Sequence, residues 1–453
     1  MSASRTLPAA FALLVLFAAT WFCARHRYED GRFAPEPAQA LSGDEPHYLL
    51  TVNSLLFDRD LSLGDDYRRA RWGGLEAGRN FSGKPLDHHT IVVDRATGEH
   101  LVWSELYDLT PGTQHFCRTA AAGCEDFARK SDRLRGPSAV ERPLHAPLWP
   151  AAVALALAPL RLTRAQVEPA MGALLLLISW LGGAVVTYLC ARRAGLSEGH
   201  AVAAAALVCL CSPWLAYSRA YFAETSVGLV LALGVLALLC ERPLLAAALA
   251  GLAGALKPQY APFGPALIAA QTLRASPLPG RVRTALGMSA VVACFALATF
   301  AWNRWLIGVP VVVSQGFAWV PWLRSLPQAL VDSRHGLLPF APWALISLAG
   351  AARGLSARPP PLLRETGLPI VANLVLLSSN GWFGEWCYGP RYWVAYLPLL
   401  ALAAAGFAAA HGALLRSLLV ALALAGALFA VSGALEYRYV FHQPAWLALG
   451  AFG

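Results

Sequence analysis

Apolar runs at about residues 7–23, 166–190, 199–217, 225–240, 244–256, 259–273, 284–307, 336–352, 366–379, 392–411 and 413–433 constrain this chain more than any other feature. Runs of that length and number demand lipid on most sides. With 57% hydrophobic and 14% charged residues across 453 positions, the chain reads as an all-α membrane protein of about eleven transmembrane helices. A formal charge of +9 would point to nucleic acid in a soluble protein. Here Arg and Lys gather in short loops between apolar runs, where they set orientation, so nucleic acid is excluded as a partner.

The positive-inside rule assigns the faces. The run Ala146 to Leu160 is short and interrupted by Pro147, Pro150 and Pro159, and it is read as interfacial rather than spanning. That choice places Arg192, Arg193, Arg242, Arg274, Arg281, Arg283, Arg353, Arg358, Arg364 and Arg416 on the cytoplasmic side with Arg5. The resulting division is a first span at 1–23, an extracytoplasmic loop with juxtamembrane helices at 24–165, a multi-span domain at 166–433 and an extracytoplasmic tail at 434–453. Arg5 and the apolar run behind it lack a small-x-small cleavage site, so an uncleaved first span is expected. No internal repeat of the inverted-transporter kind is visible.

Cys190, Cys209, Cys211, Cys240 and Cys294 lie in apolar runs and read as small buried hydrophobes. Cys117 and Cys124 fall in the long loop, where a short disulfide and a free pair are both compatible with the sequence.

The polar loop opens on Ser42-Gly43-Asp44-Glu45-Pro46-His47-Tyr48. Ser42 and Glu45 have capping-box spacing, and Leu49, Val52, Leu55 and Leu56 share one face of the predicted helix. Asp44, His47, Thr51, Ser54 and Asp58 form the other edge, so the helix is expected to lie on the membrane surface with Asp44 facing a cleft. Adjacent helical side chains diverge by about 100°, so Asp44 and Glu45 have separate tasks. Asp44 suits a general base and Glu45 suits its support or a helix cap; both also suit a first helical turn for purely structural reasons.

Further ionisable residues fall on the same face. Glu224 begins a span, Lys257 interrupts an apolar hairpin, Arg391 begins another span among aromatic residues, and His145 and Arg161 bracket the interfacial run. Each alone fits snorkelling or anchoring. Together they suit group transfer from a phosphate-bearing lipid, with Lys257, Arg391 or Arg161 compensating the leaving phosphate and Asp44 taking the acceptor's proton. Asp65-Asp66 could join Asp44 at a metal, although a turn is the commoner role of such a pair. His88-His89 lacks a second ligand pair at zinc spacing, and there is neither a phosphate-cradling glycine loop nor a Gly-x-Ser-x-Gly elbow.

The order of these elements resembles the GT-C class of membrane glycosyltransferases, whose relatives include protein O-mannosyltransferases and the aminoarabinose transferases of lipid A. The resemblance is carried by Asp44-Glu45 after the first span, His145-Ala146-Pro147-Leu148, Arg161-Leu162, Arg192-Arg193, Ser218-Arg219 through Glu224, Leu256-Lys257-Pro258 and Gly389-Pro390-Arg391-Tyr392. It implies a GT-C-like bundle with an outward active site, a polyprenyl-phosphate sugar donor, a lipid, glycan or protein acceptor and a metal requirement that varies among members, while the Ala-rich, Arg-rich look of the chain sets the expectation of a bacterial inner membrane. By that likeness Asp44 is the catalytic carboxylate, Glu224 the second acid, and Lys257 and Arg161 contact the donor phosphate, with Arg391 and His145 beside them. No cofactor is fixed by it, a divalent metal being the candidate. Competing expectations are a transporter or flippase, or a ligase, of lipid-linked saccharides.

Overall fold

A computed structural model describes residues 6–29, 32–35, 44–71, 89–94, 100–105, 114–117, 124–126, 139–273, 278–307, 322–360, 362–379 and 387–435. Ser42, His88 and the tail beyond 435 lie outside the described residues. The chain is predominantly helical. Among the described residues, four helical stretches are long and apolar enough to cross a membrane: Pro8–Arg25, Arg164–Arg193, Pro279–Leu306 and Ala413–Leu435. Other apolar runs fold as shorter helices, including Glu198–Leu210, Glu224–Leu239, Pro243–Leu256, Ala344–Gly354 and Leu397–Ala409.

Local sequence explains why several runs are divided. The 199–217 run breaks at Ser212-Pro213, where Ser212 Oγ turns back to Val208 O at 2.7 Å. The 336–352 run breaks at Ala341-Pro342, and the 392–411 run divides into Arg391–Val394 and Leu397–Ala409 ahead of Pro398. Leu148–Leu157 continues as a 3-10 turn, Ala158–Leu160, for a total rise of about 20 Å, short of a hydrocarbon core.

Leu397–Ala409 is the hub, buried over nearly its whole length. Small residues permit that approach: a Cβ on Gly350 would stand 2.7 Å from Ala403 O. The next Ala-Leu helix, Ala413–Leu435, has the same composition but exposes much of its first two turns and one side beyond them, with Ser432 to Leu435 buried at its end. Leu278–Ile307 packs on Pro243–Leu256 and Phe263–Thr272 and leaves most of its remaining surface open. Arg281 and Arg283 mark one end and the Trp302–Trp305 pair the other, about 30 Å apart along the axis. Basic residues at both ends, with Arg304 between the two tryptophans, suit a helix whose ends meet polar surroundings.

The loop after the first helix holds more regular structure than its turn-rich sequence implies. His26–Glu29 pairs with Arg32–Pro35, and a five-stranded antiparallel sheet runs Cys124–Asp126, Gln114–Cys117, His100–Glu105, His89–Asp94, Ala139–Pro143. Its register sets Cys117 opposite Cys124. Ile91 anchors the sheet against Leu61, Leu144 and Leu306, the last at the tryptophan end of the long exposed helix.

The first loop helix is Glu45–Asn53, extended by a π-turn at Ser54–Asp58. The expected capping box is not used: Asp44 is the N-cap and Glu45 the first helical residue. Pro46 gives the reason. A helix capped at Ser42 would put Pro46 where the first intrahelical N–H is needed, whereas a start at Glu45 places it in the first turn, where no N–H is missed. Nor does the helix lie with a polar edge exposed; Glu45 through Asn53 are all buried. His47 is covered by Tyr67, whose hydroxyl sits 2.6 Å from His47 Nδ1.

Candidate functional site

Five chain segments end at one place. Asp44 caps Glu45–Asn53, His145 precedes Leu148–Leu157, Glu224 starts Glu224–Leu239, Lys257 closes Pro243–Leu256, and Arg391 starts Arg391–Val394. The helix ends suit the charges they carry, an acid at the start of Glu224–Leu239 and a cation at the close of Pro243–Leu256. Lys257 is extended (φ −154°, ψ 110°) between its helix and the 3-10 turn Pro258–Tyr260, so Pro258 ends the helix at the level of the cluster.

Arg391 joins the acids. Its Nε donates to Glu224 Oε1 at 2.7 Å, its Nη2 donates to Asp44 Oδ2, and its guanidinium lies 4.2 Å from the centre of the Phe222 ring. Lys257 Nζ donates to Glu224 Oε1. His145 Nδ1 stands 3.8 Å from Asp44 Oδ2. Gly389, at φ +58°, turns the chain into this position beneath Phe340.

Exposure separates the two acids. Glu224 is wholly buried, whereas the Asp44 side chain keeps 23% of its surface. Asp44 is therefore the carboxylate an incoming molecule meets first. Two carboxylates face two fixed cations, and a neutral His145 leaves the cluster balanced. Burial pushes the Asp44 carboxyl up, but Arg391, His145 and Lys257 outweigh it and hold the group well below the usual carboxylate range. Burial lowers His145 below its ordinary value, with Arg391 and Lys257 acting the same way and Asp44 opposing, so the imidazole is neutral near pH 7.

A carboxyl whose folded pKa lies below its unfolded one stabilises the fold above the unfolded value and loses that contribution as pH falls through the folded value. The melting-temperature gap between the native chain and Asp44→Asn is therefore expected to hold steady from about pH 8 to 5 and to narrow only below about pH 4. A thermal-unfolding series across pH checks it; a gap that closes near pH 6 would contradict the Arg391 pairing.

Two expected members lie elsewhere. Glu45 is buried and its Oε1 accepts from Tyr221 N at 2.7 Å, tying the loop helix to the turn that carries Phe222 and Glu224. It is a positioning residue. Arg161 follows the 3-10 turn at the far end of Leu148–Leu157, about 20 Å along the helix from His145, and makes no ion pair with the cluster among the described residues. Its sequence neighbours give an expected face but no position along the helix.

Asp65 and Asp66 do not join Asp44. They begin Gly64–Arg71 and group with Asp58, with one oxygen from each of the three within 4.8 Å of the others. A divalent cation could bridge such oxygens, but Arg164 supplies countercharge there: Nη2 is 2.9 Å from Asp58 Oδ1 and Nη1 3.9 Å from Asp66 Oδ1. Sequence reading missed that pair, which spans 106 positions, and it missed Phe222 as the aromatic partner of Arg391. The aromatic pair Tyr221-Phe222 beside Glu224 was the available signal.

With this geometry in view, comparison with family models, curated proteins and solved structures finds no match.

Proposed function

We propose that the chain is a membrane glycosyltransferase of GT-C type, moving a sugar from a polyprenyl-phosphate donor to an extracytoplasmic acceptor. In this reading about eleven segments span a bacterial inner membrane, with the amino terminus cytoplasmic and the Asp44 cluster outward. The observation that carries the proposal is the convergence of Asp44, Glu224, Lys257, Arg391 and His145 from segments up to 347 positions apart, in a chain with few charges.

The acceptor hydroxyl or amine attacks the anomeric carbon while the bond from that carbon to the phosphate oxygen breaks, its electron pair staying on the phosphate. The acceptor's proton goes to Asp44. A carboxylate held low by Arg391 is a weak base, so donor binding has a second task. A phosphate drawing on Arg391 and Lys257 takes cation from Asp44, raises its proton affinity and readies it to accept. Glu224 holds both cations where the phosphate arrives.

Balanced, buried charge equally suits a carrier of lipid-linked saccharides that releases its cargo unchanged. Mass spectrometry of envelope glycans and lipid-linked sugars, comparing a strain lacking the chain with its parent, tests the transferase reading. Loss of one sugar from an acceptor with build-up of its polyprenyl-phosphate donor is expected; unchanged glycans would defeat it.

A further inference from the structure

The helices Glu45–Asn53 and Leu148–Leu157 pack together, both begin at the charged cluster through Asp44 and His145, and both continue to an arginine about 20 Å away. Arg59 closes the π-turn at φ 60° and Arg161 closes the 3-10 turn at φ 49°, each a left-handed stop at which glycine is the favoured residue. Between the two ends lies a groove of about 300 Å³ lined by Leu55, Leu56, Leu157 and Leu162. Both arginines border it, both are exposed, and neither makes a side-chain ion pair among the described residues. Neighbouring acids have other work: Asp58 is held by Arg164, and Asp60 Oδ1 accepts from Ser62 N at 2.9 Å and Ser54 Oγ at 3.2 Å.

An apolar trough with two guanidiniums at its rim matches a molecule with one anionic head and a hydrocarbon chain. We propose that this groove binds an anionic bilayer phospholipid, with an acyl chain along the leucines and the phosphate between Arg59 and Arg161. The site goes beyond the transfer reaction and does not depend on it, since no group of the Asp44 cluster takes part. Its consequence is mechanical. Lipid here would fix the far ends of the two helices that present Asp44 and His145.

The test uses the full-length protein released from vesicles of phosphatidylcholine with phosphatidylglycerol as the minor, anionic lipid, which basic side chains near the surface attract, with bound lipid read by native mass spectrometry. The native chain should retain phosphatidylglycerol in preference to phosphatidylcholine, and Arg59→Ala with Arg161→Ala should lower that retention about tenfold. Ala158→Trp, which fills the groove and keeps both arginines, should also lose the lipid, whereas Arg281→Ala with Arg283→Ala should keep it. Equal retention by the native chain and the Arg59/Arg161 variant would overturn the proposal. So would displacement by inorganic phosphate alone, which would mark a phosphate site, or by one equivalent of polyprenyl phosphate, which would mark a donor site.

Discussion

Arg391→Ala is expected to destabilise the protein by about 3–5 kcal/mol, the effect of removing one partner from a buried ion pair. The guanidinium serves Asp44 through Nη2 and Glu224 through Nε, and it stacks on Phe222. Its loss leaves Glu224 with Lys257 and leaves Asp44 with only the His145 imidazole, 3.8 Å away. Arg391→Lys should recover only part of the loss, because an ammonium cannot reproduce a fork that reaches two carboxylates in two directions. Thermal unfolding of the three proteins in one detergent measures the series. Equal midpoints for native chain and alanine variant would mean that the network does not exist.

Asp44→Asn is expected to lower turnover by about 10²–10⁴-fold, the usual contribution of a positioned general base. The amide oxygen can still accept from Arg391, and Glu224, Lys257 and Phe222 are untouched. Donor binding should therefore survive, with the loss confined to the chemical step. Release of polyprenyl phosphate from a synthetic glycosylated donor gives the rate, and donor retention after vesicle flotation gives the binding. A fall in binding that matches the fall in rate would instead make Asp44 a contact for the donor.

The residues of the site were legible because an unbalanced charge in an apolar chain is conspicuous. Glu224, Lys257 and Arg391 each interrupt or border an apolar run, Asp44 and His145 stand at the starts of helices in the polar loop, and the structure brings all five to one place. Arg161 met the same test and failed it, since the helix and 3-10 turn after His145 carry the chain about 20 Å away from the cluster. Glu45 illustrates a different limit. Divergence of neighbouring helical side chains told that it would part from Asp44, but not that it would accept a hydrogen bond from Tyr221 N, 176 positions away.

The fold was legible as helical and apolar, and less so in its lengths. Hydropathy averages over the Ser-Pro and Ala-Pro breaks at 212 and 341, which divide apolar runs into shorter helices. The sheet built on His89–Asp94 was hidden because its strands are brief and only Ile91 to Val93 alternate visibly. Pairing supplied by Ala139–Pro143, some 45 positions on, is a tertiary fact that no local pattern carries.

The central claim is that this cluster breaks a sugar–phosphate bond rather than merely holding or moving a lipid. It is tested most directly by placing purified protein in vesicles with a glycosylated polyprenyl phosphate labelled in the sugar and following both sugar and lipid. The account predicts unglycosylated polyprenyl phosphate in step with labelled acceptor for the native chain, and neither product for Asp44→Asn. Labelled donor crossing the bilayer intact, at the same rate in both proteins, would contradict it.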